Sequence, residues 1–236
     1  MMAQSPAAPF KNENDLVQSF VYFLTSTNKD EFLVYCEFEA GFGRPDVVLY
    51  SAPLPESLES IQSLEKVNPR LSPLLSRDVA KKIKSHAELA RACGTTPELA
   101  RKIANQLTQI NRIKYSKKSN EKFTINAIDK LPFRHVVSLE AKLRDWQRAL
   151  TQAYRYKTFS HESWVLLDEA HVAPALKNIK RFKNLGIGLA SFSSHGELRI
   201  FAKAMTQKTP SSLSLTWRTQ ALLARHAEVL RTDQQL

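Results

Sequence analysis

Cysteine, glycine and long hydrophobic runs are all scarce in this 236-residue sequence. Two cysteines, Cys36 and Cys93, are too few for a disulfide framework, and no metal-ligand spacing suggests a zinc site. Both lie in apolar patterns, one strand-like and one helical, so we expect two separate core thiols. The six glycines form no phosphate-binding loop, which gives no support for nucleotide triphosphate hydrolysis. No apolar run is long enough to cross a bilayer, so no membrane partner is expected.

The composition is that of a soluble globular protein. Hydrophobic residues make up 43% of the chain and charged residues 24%, and this length accommodates one large domain or two. The first ten residues have neither the basic flank nor the hydrophobic segment of a signal peptide. The sequence therefore predicts a cytoplasmic protein.

Positive charge is abundant and is concentrated in one segment. The formal net charge is +11 and the sequence pI is about 9.7. Residues 77–122, about a fifth of the chain, contain 12 Lys or Arg against 4 Asp or Glu, and so hold most of this excess. Such a concentration is typical of a nucleic-acid-binding segment, although a merely soluble lysine-rich face has the same charge.

Two short motifs point to the chemistry. One is Gly43-Arg44-Pro45-Asp46, which leads into an apolar strand pattern, and the other is the strand-like stretch 136–143. The second alternates, so that Glu140 and Lys142 lie on the strand face opposite to its apolar side chains. Asp46 and Glu140 offer hard oxygen ligands to Mg²⁺, and Lys142 offers a positive charge beside an attacked phosphate.

These motifs resemble those of the PD-(D/E)xK nuclease superfamily, which has the restriction-endonuclease-like fold. Pro45-Asp46 corresponds to the PD element and Glu140-Ala141-Lys142 to the ExK element. Glu13 corresponds to the acidic residue that family members often carry in the first helix. Gln152 and Tyr156 fit the QxxxY motif that one branch of the superfamily has on the following helix. The resemblance covers about residues 10–50 and 132–205.

The resemblance implies a fold, an activity and a site. The implied fold is α/β, a restriction-endonuclease-like mixed sheet flanked by helices, and the implied activity is that of a Mg²⁺-dependent deoxyribonuclease, an endonuclease in which Mn²⁺ substitutes for Mg²⁺. Asp46, Glu140 and Lys142 would be catalytic, and Asp46, Glu140 and Glu13 would bind the metal. Gln152 and Tyr156 would support the site or hold a phosphate, although a tyrosine on a helix that faces a sheet is equally often a core residue.

An inserted helix-turn-helix with a wing is predicted between the two halves of the motif. Ser85 and Glu88 form a capping box, and Gly94 ends that helix. Thr96 caps the next helix, which has Leu99, Ile103 and Leu107 on its apolar side and is followed by a β-hairpin with a basic tip. This is the pattern of a winged-helix module over residues 76–128.

The DNA-binding residues expected in this module lie on its second helix and its hairpin. They are Arg101, Lys102, Asn105, Lys114, Lys117, Lys118 and Lys122. The helix would enter the major groove, and the hairpin lysines would contact phosphates without reading sequence. The alternative interpretation is a helical subdomain that binds protein or packs against the core.

The sequence thus predicts a discontinuous core with an insertion. Residues 10–52 and 132–236 would form the nuclease-like core, including one helix over 173–185 and a final helix from Pro210 to about Leu230. Residues 53–75 would be a linker with one short helix around 58–67, and residues 76–128 the winged-helix module.

The resulting hypothesis is a metal-dependent DNA nuclease with a winged-helix insertion. One alternative is a non-catalytic winged-helix DNA-binding protein that keeps a nuclease core as a scaffold. Another is a nuclease subunit recruited to a larger DNA-processing complex. DNA is the expected partner in all three, and cleavage of both strands with one site per chain would favour a homodimer.

Overall fold

The computed structural model describes residues 8–27, 32–39, 43–51 and 57–233. It is a mixed α/β protein with a six-stranded mixed sheet, a two-stranded hairpin and about nine helices in these ranges. In chain order, the helices and strands are α1 (Glu13–Thr27), β1 (Phe32–Cys36), β2 (Val47–Ser51), α2 (Leu58–Lys66), α3 (Arg77–Ala80), α4 (His86–Cys93), α5 (Pro97–Gln109), β3 (Ile113–Ser116), β4 (Ser119–Ile125), β5 (Val136–Lys142), α6 (Trp146–Tyr156), β6 (Glu162–Asp168), α7 (Ala173–Lys177), α8 (Ile179–Leu185), β7 (Gly188–Phe192), β8 (Leu198–Ala202) and α9 (Leu213–Asp233). No helix in the described part of the chain is both long and apolar enough to span a membrane.

The chain divides into two compact units. The first, which we call the sheet unit, comprises the described residues of 1–52 and 134–212. The second, the helical unit, comprises those of 53–133 and 213–236.

In the sheet unit the strand order is β1-β2-β5-β6-β7-β8. The β5, β6 and β7 strands are parallel, and the other neighbouring pairs are antiparallel. The continuous apolar run 163–167 forms β6, which has parallel neighbours on both sides, as the sequence predicts for a central, doubly covered strand.

Each face of this sheet has its own apolar core. On one face, Leu16 and Phe20 of α1 pack with Leu139 and Ala141 of β5. On the other face, the core consists of residues from α6, α8 and the alternate positions of β6, among them Ala149, Leu150, Val165, Leu167 and Phe182. The predicted alternation along β5 is therefore confirmed, and its polar side chains lie opposite to the α1 face.

Two expectations for the sheet unit are wrong. Cys36 is exposed because β1 is an edge strand of the sheet and Cys36 ends it, while Cys93 of the helical unit is only partly buried. The single helix expected over 173–185 is two helices, which meet at Asn178. The Asn178 side chain donates to the Pro174 carbonyl, the acceptor that the backbone N–H of residue 178 would use in a continuous helix.

The helical unit contains α2 to α5, the β3–β4 hairpin and α9. The predicted caps are confirmed: Ser85 accepts a hydrogen bond from the Glu88 N–H, Thr96 accepts one from the Leu99 N–H, and Gly94 adopts the left-handed conformation with φ of 59°. Leu99 itself is 48% exposed, since Ala100, one position further on, takes the buried place on α5.

The boundaries of this unit differ from those expected. Residues 58–66 and 72–75 of the expected linker are helical, with Ile61, Leu64 and Leu75 fully buried. The α9 helix, expected in the core, belongs to the helical unit, where it packs against α2 and residues 72–75. In α9, Gln220 exchanges two hydrogen bonds with the Phe133 backbone. The unit to which these segments belong is therefore decided by the partners that bury their apolar side chains, and a local sequence pattern does not identify those partners.

Candidate functional site

The sheet brings the two separated motifs together. The first residue of β2, Val47, pairs with Leu139 of β5. Asp46, directly before Val47, therefore lies beside Glu140, directly after Leu139. The pairing is closed by a hydrogen bond of 2.7 Å from the Ala141 backbone N–H to Asp46 Oδ2.

Lys142 is the common partner of three carboxylates. Its Nζ lies 2.9 Å from Glu140 Oε1, 3.1 Å from Glu13 Oε2 and 3.8 Å from Asp46 Oδ2. The ammonium also donates to the Ala141 carbonyl at 2.9 Å. Glu13 comes from the first turn of α1, so three separate segments of the chain converge on one nitrogen.

Glu140 is the most deeply placed member of this cluster, with only 1% of the residue exposed. Its Oε2 accepts a hydrogen bond of 2.6 Å from the Tyr156 hydroxyl, so both carboxylate oxygens have a partner. The Tyr156 ring lies against Gly43, where an added Cβ would stand 2.8 Å from Tyr156 Cε1. Since Gly43 also has φ of 118°, only glycine suits this position of the first motif.

Burial and mutual repulsion set the protonation behaviour of the carboxylates. Burial raises the pKa of Asp46 above its ordinary value, against the opposing effects of the Ala141 N–H and Lys142. Burial and then the charge of Asp46 raise the pKa of Glu140. Two carboxyl groups that hold their protons more tightly than usual form a site that gains from a bound cation.

The pKa values of Lys142 and Tyr156, the two side chains that donate hydrogen bonds to Glu140, are also raised. Burial alone would lower the pKa of Lys142, but the hydrogen bond to Glu140 and the nearby carboxylates raise it overall, so the ammonium stays charged. Burial and the hydrogen bond to Glu140 raise the pKa of Tyr156, so the phenol remains a donor.

Gln152 lies one helical turn before Tyr156 on α6. Its side chain lowers the pKa of Tyr156 in part, against the larger effects of burial and Glu140. Its buried Oε1 has no hydrogen-bond partner within the described ranges. Gln152 therefore adjoins the site through Tyr156 and does not touch the carboxylates directly in this arrangement.

The donor chemistry of the cluster fits a hard divalent cation. Glu13, Asp46 and Glu140 offer only carboxylate oxygens, which suit Mg²⁺ or Mn²⁺. Within residues 8–27, 32–39, 43–51 and 57–233, however, no three His, Cys, Asp or Glu side chains are grouped as they would be around a metal ion. In this structure Lys142 supplies the positive charge that the three carboxylates share.

Sequence reasoning overlooked Asp168, and it considered Glu37 only as a possible further carboxylate. Asp168 ends β6 beside Lys142, whose strand partner is Leu167, and it is 1% exposed. Its Oδ2 accepts from the Phe10 N–H at 3.0 Å, which holds the segment that leads into α1 and Glu13. Glu37 forms a 2.6 Å ion pair with Arg44 and adds to the charges that raise the pKa of Asp46. An acidic residue at the end of a buried apolar strand was the available signal for Asp168.

The DNA-binding residues expected in the helical unit share one property, which is exposure to solvent. These are Arg101, Lys102, Asn105, Lys114, Lys117, Lys118 and Lys122. Lys102 forms an ion pair of 3.5 Å with Glu98 on the same helix. The surface of α5 and the hairpin is thus basic and accessible, as contact with phosphates requires.

Comparisons with models of protein families, with curated proteins and with solved structures find no match for this chain, so its geometry alone must carry the functional argument.

Proposed function

We propose that this protein is a metal-dependent DNA nuclease that hydrolyses phosphodiester bonds. The observation that carries the proposal is the convergence of Glu13, Asp46 and Glu140 on Lys142 Nζ, each within 4 Å of it. Glu140 and Lys142 are buried, and two further carboxylates from separate chain segments meet the same ammonium. Such a grouping of charges with perturbed pKa values is typical of a catalytic site.

Each side chain has a role in this proposal. Glu13, Asp46 and Glu140 hold Mg²⁺ or Mn²⁺, which when bound lowers the pKa of a water and neutralises charge on the phosphate. Lys142 places its ammonium beside the phosphate and stabilises the negative charge that develops there. Tyr156 holds Glu140 Oε2, and Gln152 supports Tyr156.

The order of elements supports a restriction-endonuclease-like core. With the inserted residues set aside, the order is α1, β1, β2, β5, α6, β6, in which a helix and a three-stranded antiparallel part precede a helical crossover to a parallel strand. In the helical unit, α4 and α5 joined at Gly94 and followed by the β3–β4 hairpin support the winged-helix interpretation. We therefore propose DNA as the partner of this unit.

The test is incubation of purified protein with plasmid, linear, branched and single-stranded DNA, with and without Mg²⁺ or Mn²⁺. Wild type should cleave at least one of these only when metal is present. Lys142→Ala should reduce turnover by a factor of about a hundred or more, the scale of losing one charge-stabilising donor. Lys142→Arg should rescue poorly, because a planar guanidinium does not replace a compact ammonium. Equal cleavage by wild type and Lys142→Ala would indicate a contaminating nuclease and would contradict the proposed function.

A second candidate function is DNA binding without cleavage. One observation favours it: Lys142 and Tyr156 together satisfy both oxygens of Glu140, so this buried carboxylate has its partners without a metal. A scaffold of this kind would bind DNA, show no metal-dependent cleavage and tolerate Lys142→Ala with a modest change in affinity. A nuclease subunit active only within a larger complex, or only as a homodimer, would show cleavage once its partner is added.

A further inference from the structure

A cleft runs from the carboxylate cluster along the outer face of α1. Its volume is about 780 Å³, and its walls include Glu13 and Asp46 at one end and Tyr22 further along. The α1 residues that line it recur every three or four positions, so one continuous stripe of the helix forms the wall. The cleft is therefore an extension of the proposed active site and not a separate cavity.

The charge of this cleft is unsuited to a phosphate backbone. Among its described lining residues there is no lysine or arginine, whereas Glu13, Glu37 and Asp46 are all acidic. Lys142 and Arg44, the cations that pair with these carboxylates, are not among the described lining residues, and one Lys142 faces both Glu13 and Asp46. Phosphates along a bound strand would be repelled from such walls. An occupant must instead be uncharged where it enters the cleft.

The middle of the cleft has the character of a site for a flat, largely apolar group. Val17, Val21 and Tyr22 provide apolar and aromatic surface, and Gln18 provides an amide that can pair with a base edge. Tyr22 is 76% exposed, the most exposed large hydrophobic side chain in the part of the chain that the structure describes. A large aromatic ring left in water is a natural platform for stacking, because each stacked base contributes about 1–3 kcal/mol.

The path continues beyond Tyr22. A second hollow of about 620 Å³ is also lined by Gln18 and Tyr22, together with Ser194 and His195 from the turn between β7 and β8. Tyr22 thus borders two hollows in succession, which leaves room for more than one base along α1.

We propose that this cleft receives an unpaired nucleobase of the strand being cut, stacked on Tyr22, about two and a half helical turns along α1 from Glu13 and the scissile phosphate. The proposal rests on the nuclease function above and specifies its substrate class, which is DNA with unpaired bases at the cleavage point, such as single strands, flaps or frayed ends. In intact duplex every base is paired and stacked, and moving one into the cleft costs a few kcal/mol. Intact duplex is therefore the poorer substrate.

The experiment uses the full chain and oligonucleotides that carry 2-aminopurine at successive positions, in EDTA so that nothing is cleaved. Stacking on Tyr22 should quench the fluorescence of single-stranded probe and leave the matched duplex probe unchanged. Tyr22→Ala should weaken binding of the single strand by about tenfold, while Tyr22→Phe, which keeps the ring, should bind like wild type. Tyr154→Ala is the matched control, since Tyr154 is also exposed, at 53%, but does not line the cleft.

A second arm measures cleavage with Mg²⁺ on DNA that has a normal or an abasic nucleotide at the quenched position. Tyr22→Ala should raise KM more than it lowers kcat, and the abasic substrate should remove most of the difference between wild type and variant. Cleavage that is indifferent to Tyr22, or equal quenching of duplex and single strand, would overturn the base site and leave the nuclease function standing. If quenching depends on Tyr22 but the protein cleaves no DNA, the base site is supported and the proposed nuclease function is contradicted.

Discussion

The carboxylate cluster of the sheet unit and the basic surface of α5 and the hairpin in the helical unit use charged side chains in opposite ways. In the sheet unit, the Lys142 side chain is only 10% exposed and contacts Glu140 on its own strand as well as two carboxylates from distant segments. In the helical unit, the basic residues of α5 and the hairpin are exposed, and pairs such as Lys102–Glu98 form between neighbours on one helix.

In the proposed function, the clustered charges of the sheet unit would serve catalysis, and the exposed charges of the helical unit would serve DNA affinity. Exposed pairs in water contribute little to stability, typically below about 1 kcal/mol, so the basic surface is free to exchange its counterions for phosphates. A buried cluster cannot exchange partners in this way, because removing one member leaves the others uncompensated. Substitutions in the two units should therefore have different consequences.

The largest expected effect is on cleavage, when Glu140 or Asp46 of the carboxylate cluster is replaced. Glu140→Gln and Asp46→Asn keep the side-chain shape but remove a negative ligand, so metal-dependent cleavage should fall to the level seen without metal. DNA affinity, measured by fluorescence anisotropy in the absence of metal, should stay close to that of wild type. Glu121→Gln on the exposed hairpin is the control and should cleave normally. Retained cleavage by either site variant would contradict the assigned metal ligands.

The next effect is on stability and concerns Lys142. Lys142→Met keeps most of the volume but leaves Glu140 buried without its cation, so the free energy of unfolding in EDTA should fall by about 3–5 kcal/mol. Mg²⁺ should restore part of this loss, because a cation that binds only the folded state stabilises it. Denaturant titrations with and without Mg²⁺ measure both changes. Lys177→Met on exposed α7 should leave stability within about 0.5 kcal/mol of wild type. An equal effect of both substitutions would abolish the distinction between buried and exposed lysines.

A smaller effect is expected on DNA affinity. Replacing Lys114, Lys117 and Lys118 with Ala should weaken binding for all sequences, because these side chains would no longer neutralise phosphates. The slope of log affinity against log salt should become shallower by about 0.9 for each phosphate that is left without its lysine. Arg101→Ala on α5 should instead alter sequence preference.

The control for the lysine triple is a second triple of equal charge change. Lys177, Lys180 and Lys183 are exposed residues of α7 and α8 in the sheet unit. Their replacement with Ala should change the salt slope less. Equal slopes for the two triples would mean that net charge, and not the hairpin, determines affinity.

The smallest expected effect is a pH dependence of stability that comes from Glu140. Its pKa is raised in the folded protein above the ordinary 4.5, so the folded state holds the proton more tightly than the unfolded chain. This contribution is fully present below pH 4.5 and is lost as the pH rises through the folded pKa. The stability difference between wild type and Glu140→Gln, measured in EDTA, should therefore decrease from about pH 4 toward neutral pH. The difference between wild type and Glu121→Gln should not follow this course.

Local features of the fold were predictable because their causes are local. The caps at Ser85 and Thr96, the left-handed Gly94 and the alternation of β5 depend on residues close in sequence, and the structure has all of them. Residues 58–66 and 72–75 were expected in a linker and α9 in the nuclease-like core, but all of them belong to the helical unit, because their apolar side chains pack against residues far away in sequence.

In the candidate site, too, the contacts between residues close in sequence were predictable, and those between distant residues were not. A strand period of two puts Glu140 and Lys142 on one face, so their contact was predictable from spacing. Two other contacts depend on how the helices pack on the sheet. Tyr156 lies against Gly43, and Asp168 accepts a hydrogen bond from the segment before α1. No spacing in the sequence contains that information.

By itself, the amino-acid sequence determined the mixed α/β class, the concentration of positive charge in one segment, and the residue types that can bind a cation and a phosphate. These properties belong to residue identity and to short-range periodicity. Only the tertiary structure decided that three carboxylates meet at one ammonium, that the last helix belongs to the helical unit, and that an acidic, aromatic cleft continues from the site. The first depends on β2 pairing with β5, and the others depend on the packing of helices against segments that are far away in sequence, which only the folded chain brings together.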